Sequence, residues 1–251
     1  MVAWWGSALA DLALDRQRAD RDCILSEAAA FNLAVALFDS AVDGAPARAR
    51  LLADALEPRR MAARLAYPGN PGHRIECRDP SLDLVAALFD RVLSSAGRRF
   101  GSQPAQLDRC SRLLEKMYRS ELGRSSEPFF AKAGPVLFVG ALASDLEQRR
   151  WRRLYEALAR LCQLWDDWQD MEEDLRGLAP NSFLGAPRPM APVGSVAYGL
   201  RGLARVAAGD LCHRGIAATL ATGFRETVMA ARDCDPDTYR KTRLLCHELM
   251  D

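Results

Sequence analysis

RRWRRLYEALARLCQLWDDWQDMEED, residues 149–174, decides the fold class. Trp151, Leu154, Tyr155, Leu158, Leu161, Cys162, Trp165 and Trp168 recur at three- and four-residue spacing, the period of an amphipathic helix. The seam then runs into acid: Asp166, Asp167, Asp170, Glu172, Glu173 and Asp174. A solvated helix end accounts for the acids but not for Trp165 and Trp168, and a buried face would penalise the acids.

The same period recurs over 24–43, 82–99, 105–122, 128–146, 193–213, 214–233 and 236–250. Alternating β-branched runs are missing, and the β-like PVLFVG at 135–140 lies inside a longer Ala-rich helical pattern. Glycine and proline mark loops at 67–80 and 177–194. No internal repeat is seen. The expectation is one all-α domain of about eight to ten helices, spanning 1–251.

With 251 residues, 27% charged and a net formal charge of +1, the chain has no global field that would attract nucleic acid. The seven cysteines form no C-x-x-C pair, which reads as reduced thiols in a cytoplasmic protein. Cys212–His213 and Cys246–His247 are adjacent pairs, about 100° apart on a helix, so neither offers zinc two ligands. The N-terminus lacks a signal-peptide pattern, and no run approaches the ~20 apolar residues of a membrane span.

The acids cluster twice. ILSEAAAFNLAVALFDSAVD, 24–43, is apolar until Asp39 and Asp43 appear four apart, on one helical face. Asp166 and Asp170 repeat that spacing, with Asp167 beside them and Asp174 one turn on. Like charges at i and i+4 repel, a local cost with no structural return. Two such clusters on facing helices would make a cage of hard oxygen ligands suited to Mg2+, which binds through a few carboxylates plus substrate phosphates.

Those residues resemble the trans-isoprenyl diphosphate synthases and their relatives in the class I terpene synthase superfamily. That family carries two aspartate-rich motifs on facing helices of an all-α bundle. Its second motif, F-Q-x-x-D-D-x-x-D, is matched by Cys162-Gln163-Leu164-Trp165-Asp166-Asp167-Trp168-Gln169-Asp170, with Cys for Phe. Its first, D-D-x-x-D followed by R-R-G, keeps Asp39, Asp43 and Arg48 but has Ser40 and Ala49 at the second aspartate and second arginine. Lys132-Ala133 stands where the family has a K-T pair. The resemblance runs from about residue 24 to 185 and is patchy.

The resemblance implies metal ligation by Asp39, Asp43, Asp166, Asp167 and Asp170, and diphosphate binding by Arg48 and Lys132, with Gln163 in the same motif. Arg176, just past the acidic run, is a weaker candidate for diphosphate. Phe31, Phe38, Trp165, Trp168, Phe129 and Phe130 are placed in sequence to wall a pocket for the carbocation, although core packing explains each aromatic taken alone. In the family the residues four and five before the first aspartate floor the chain pocket; here the resemblance makes them Val35 and Ala34, both small, with Phe31 a turn deeper, which implies a C15 or C20 chain. The family's second diphosphate site, for isopentenyl diphosphate, is missing: Ala49 removes part, and no G-K-x-x-R-P precedes Asp39.

The expected activity is therefore that of a Mg2+-dependent terpene synthase (cyclase) acting on an allylic prenyl diphosphate. A prenyltransferase to a small non-isoprenoid acceptor is the alternative, and a non-catalytic subunit of a prenyl synthase the second. The superfamily's N-S-E triad is not recognisable, since Asn181-Ser182 lacks an acidic partner. A homodimer is expected by resemblance alone.

Overall fold

The computed structural model describes residues 2–42, 45–121, 129–171, 183 and 210–250, and among them it is all-helical, with no strand. Its helices are α1 (Val2–Asp11), α2 (Arg21–Val42), α3 (Pro46–Ala55), α4 (Pro58–Ala66), α5 (Asp83–Arg99), α6 (Pro104–Glu121), α7 (Phe129–Ala143), α8 (Arg149–Gln169), α9 (Asp210–Arg232) and α10 (Pro236–Met250). The expected loop at 67–80 holds one short 3-10 turn, Pro71–His73. The expected loop at 177–194 lies almost wholly outside the described residues.

α7 is the axis. It is apolar all round, and Ala133 to Ala143 are all buried, the environment such a helix demands. PVLFVG lies within it, with Pro135 inside the helix. Around α7 pack α1, α2, α6 and α8. Gly140 lets α8 approach, since a Cβ there would overlap the Tyr155 ring. Tyr155 is fully buried and its hydroxyl donates to the Leu9 carbonyl at 2.9 Å, tying α8 to α1.

Side-chain contacts fix the helix directions. α2 and α5 run antiparallel, with Glu27 paired to Arg99 near one end and Phe31 edge-on to Phe89 (centroids 5.8 Å apart) further along. α7 opposes α2: Phe31 stacks on Phe138 at 4.2 Å, while the α7 C-terminus reaches Arg99 and Arg18 beside the start of α2. α6 opposes α7 through Gln106 to Ala141. α9 opposes α8 through Arg153 to Asp233 at 3.1 Å. Hence α2, α6 and α8 point their C-termini toward one end of the bundle, and α5, α7 and α9 begin there.

The opposite end is stitched by polar side chains. A helix C-terminus leaves its last carbonyls without intrahelical donors. At α7 these are met by Gln106 to Ala141 and Ser144, Arg99 to Leu142 (3.0 Å) and Arg18 to Ala143 (3.1 Å). The guanidinium groups also suit the negative end of the helix dipole. At α1, Lys241 donates to the Asp11 and Leu14 carbonyls and Thr238 to Leu12, so α10 closes the same end.

α2 departs from one expectation. By length and composition it alone among the described helices could cross a membrane. In the fold it packs against α1, α5 and α7 and carries the buried Glu27–Arg99 pair. Glycine helps here too: a Cβ on Gly6 would overlap the Ala28 carbonyl, so α1 lies directly on α2.

Candidate functional site

The two acidic clusters finish at the same end of the bundle. Asp39 is exposed in the last turn of α2, and Asp166 and Asp170 are half-buried at the end of α8, with the Asp170 N–H on the Asp166 carbonyl at 2.9 Å. α7 packs against both helices and starts at this end, so the Lys132 backbone stands in its first turn near both. The Lys132 side chain, Asp43 and Arg176 lie outside the described residues.

These acids stand where helix electrostatics disfavours them. A helix C-terminus carries about half a negative charge, and a carboxylate there is disfavoured by about 0.3–1 kcal/mol. Neither α2 nor α8 has a basic residue in its last turn to offset this. The starts of α5, α7 and α9 lie at the same end, so positive helix ends stand beside the acid-tipped ones.

The acids are not equivalent. Asp167 is 1% exposed and accepts from Gln163 Nε2 at 2.8 Å, one turn back on α8. That bond fixes the amide so that Gln163 Oε1 faces away from Asp167, and this oxygen is buried with no hydrogen-bond partner among the described residues. Trp165 is half-buried and edge-on to the partly exposed Trp168, with centroids 4.9 Å apart. Upstream, Cys162 is touched by the Trp5 side chain of α1.

Phe31 lies deeper than a wall residue: it is fully buried between Phe89 and Phe138 in the packed core. From there toward the acidic end the α2 side chains loosen. Leu33, Val35, Ala36, Leu37 and Phe38 are all half-buried, although they point in different directions around the helix. Val35, Leu37 and Phe38 pack against the edge of the hydrophobic core.

Arg48 is exposed on α3, which begins shortly after α2 ends. Its charge helps hold the Asp79 carboxyl below the usual carboxylate range, after the larger effect of hydrogen bonds from the Ser81 hydroxyl and N–H. Asp79 is thus a neighbour of the candidate site that sequence reading passed over. Asp-Pro-Ser reads as turn chemistry, and only the tertiary fold brings it to Arg48. Trp5 was missed for the same reason.

Carboxylate oxygens are the donor type a hard divalent cation takes, so Asp39, Asp166 and Asp170 fit Mg2+ in chemistry. Among the described residues, however, no three His, Cys, Asp or Glu side chains gather into a metal-holding group. No family model, curated protein or solved structure matches the chain.

Proposed function

We propose that this chain is a Mg2+-dependent class I terpene synthase, which ionises an allylic prenyl diphosphate and lets the cation cyclise. The observation that carries the reading is that α2 and α8, both acid-tipped and both packed against α7, finish at the end of the all-α bundle where α7 starts. Asp39, Asp43, Asp166 and Asp170 would hold the metal, and Arg48, Lys132 and Arg176 the diphosphate. Bound Mg2+ would stabilise the charge that develops on the departing diphosphate.

The chain's own residues divide the work. Asp167, buried and held by Gln163, orients the α8 end; its carboxylate is poorly exposed for direct ligation. The half-buried apolar side chains of α2 and Trp165 would shield the cation from water, and an indole face can stabilise a cation. Phe31 would floor the cavity as part of the packed core.

The test is incubation with Mg2+ and geranyl, farnesyl or geranylgeranyl diphosphate, with analysis for hydrocarbon or alcohol products. The expected result is turnover of the C15 or C20 substrate, abolished in Asp39→Ala and Asp166→Ala with helical circular dichroism unchanged. Product formed only on addition of an acceptor would redirect the reading to prenyl transfer. No turnover of any diphosphate, with or without acceptors, would sink it.

A further inference from the structure

Between residues 46 and 78 the chain carries seven arginines and no lysine, against Asp54, Glu57 and Glu76. The whole protein is nearly neutral, so this is a local excess. The fold gathers part of it into a concavity of ≈ 540 Å³ at the start of α4 and along the loop before α5. Arg59, Arg60, Arg74 and Arg78 line it with His73 and Cys77.

Only one of these arginines is neutralised. Arg74 pairs with Glu76 at 3.3 Å, and Arg59, Arg60 and Arg78 make no ion pair among the described residues. Arg59 and Arg60 are adjacent in the first turn of α4, where cations oppose the helix dipole. Like charges held around one hollow repel, and a bound anion would relieve them. Arginine is the side chain whose planar donors match phosphoryl oxygens. None of the acidic residues of α2 or α8 lines the hollow.

We propose that this hollow is a binding site for a phosphoryl group, carried by a small soluble diphosphate or by an anionic lipid headgroup. It needs no metal, because the arginines supply the countercharge, and so it is independent of the Mg2+-dependent reading above.

Cys77 supplies the readout, since it lines the hollow and is half-buried, whereas exposed Cys23 lies on α2 and serves as an internal control. The intact protein is alkylated with iodoacetamide in excess chelator, and each cysteine's labelling rate is followed by peptide mass spectrometry. Inorganic diphosphate is one arm; phosphatidylcholine vesicles with and without phosphatidic acid are the other. Ligand at twice its Kd should slow Cys77 labelling about threefold and leave Cys23 unchanged. The effect should fade with salt and vanish in Arg59→Gln/Arg60→Gln, whose exposed positions spare the fold.

Slowing by diphosphate identifies a soluble ligand, and slowing only by the acidic vesicles identifies a headgroup. No slowing in either arm overturns the proposal, as does equal slowing at Cys23 or slowing that survives the double substitution.

Discussion

Asp167 and Gln163 show how one hydrogen bond divides a motif that sequence treats as uniform. Asp166, Asp167 and Asp170 look alike as letters, yet only Asp167 is buried and held by the Gln163 amide. Leaving a buried charged acceptor without one of its donors costs about 1–3 kcal/mol. Gln163→Leu should therefore lower the unfolding free energy measured in urea by an amount in that range, and an unchanged midpoint would show that the bond holds nothing. A second residue-scale expectation concerns pH. Burial pushes the Cys110 thiol up to about 12 from the ordinary 9.0. A raised folded value means the native state binds the proton more tightly than the unfolded chain. Its stabilising effect is complete below pH 9 and is lost between about pH 9 and 12, at about 1.4 kcal/mol per pH unit. Cys110→Ala should flatten the alkaline fall of stability measured by urea unfolding above pH 9, while costing some packing at neutral pH.

At the scale of elements, the α7 C-terminus is the most heavily determined feature. Arg99 is there twice engaged, with Glu27 and with the Leu142 carbonyl. Arg99→Met should cost about 3–5 kcal/mol, because Glu27 stays buried without its countercharge. Adding Glu27→Gln should recover part of the loss, and additive losses in thermal or urea unfolding would refute the coupling. The sequence showed most of the helices because their apolar seams carry the period: α2, α5, α6, α7, α8, α9 and α10 all fall within or close to expected segments. α1, α3 and α4 did not show. They are short, ten, ten and nine residues, so each offers too few turns for a period to stand out. The α7 cap was hidden for a different reason. Its donors come from the loop before α2, from α5 and from α6, and a contact between distant positions leaves no trace in local spacing. Of the candidate site, the paired aspartates were legible because repelling charges at i and i+4 break the normal pattern, whereas Asp79 and Trp5 carry no such mark.

Across the whole molecule the two ends of the bundle are built on opposite principles. At one end, arginine, lysine and glutamine side chains satisfy the carbonyls of α7 and α1, so the charges there are spent on the fold. At the other, α2 and α8 end in carboxylates with no basic residue in either last turn. A ligand that bridges the two acid-tipped helices should stabilise the native state far more than the unfolded chain, in which the two helix ends are far apart. Mg2+ with inorganic diphosphate is the direct probe. A ligand at about 100 times its Kd adds about 2.7 kcal/mol, which for a chain of this size raises the Tm by about 5–10 °C. The shift should need both components, because the metal meets the carboxylates and the diphosphate completes its coordination. It should disappear in Asp39→Ala and in Asp166→Ala alike, although these residues sit on different helices, since each removes one side of the same site. In both variants the unliganded protein should keep the parent's helical circular dichroism, so that a lost shift reports on the ligand. Loss of stability without ligand would mean that these acids serve the fold, and a full shift retained in either variant would place the metal elsewhere.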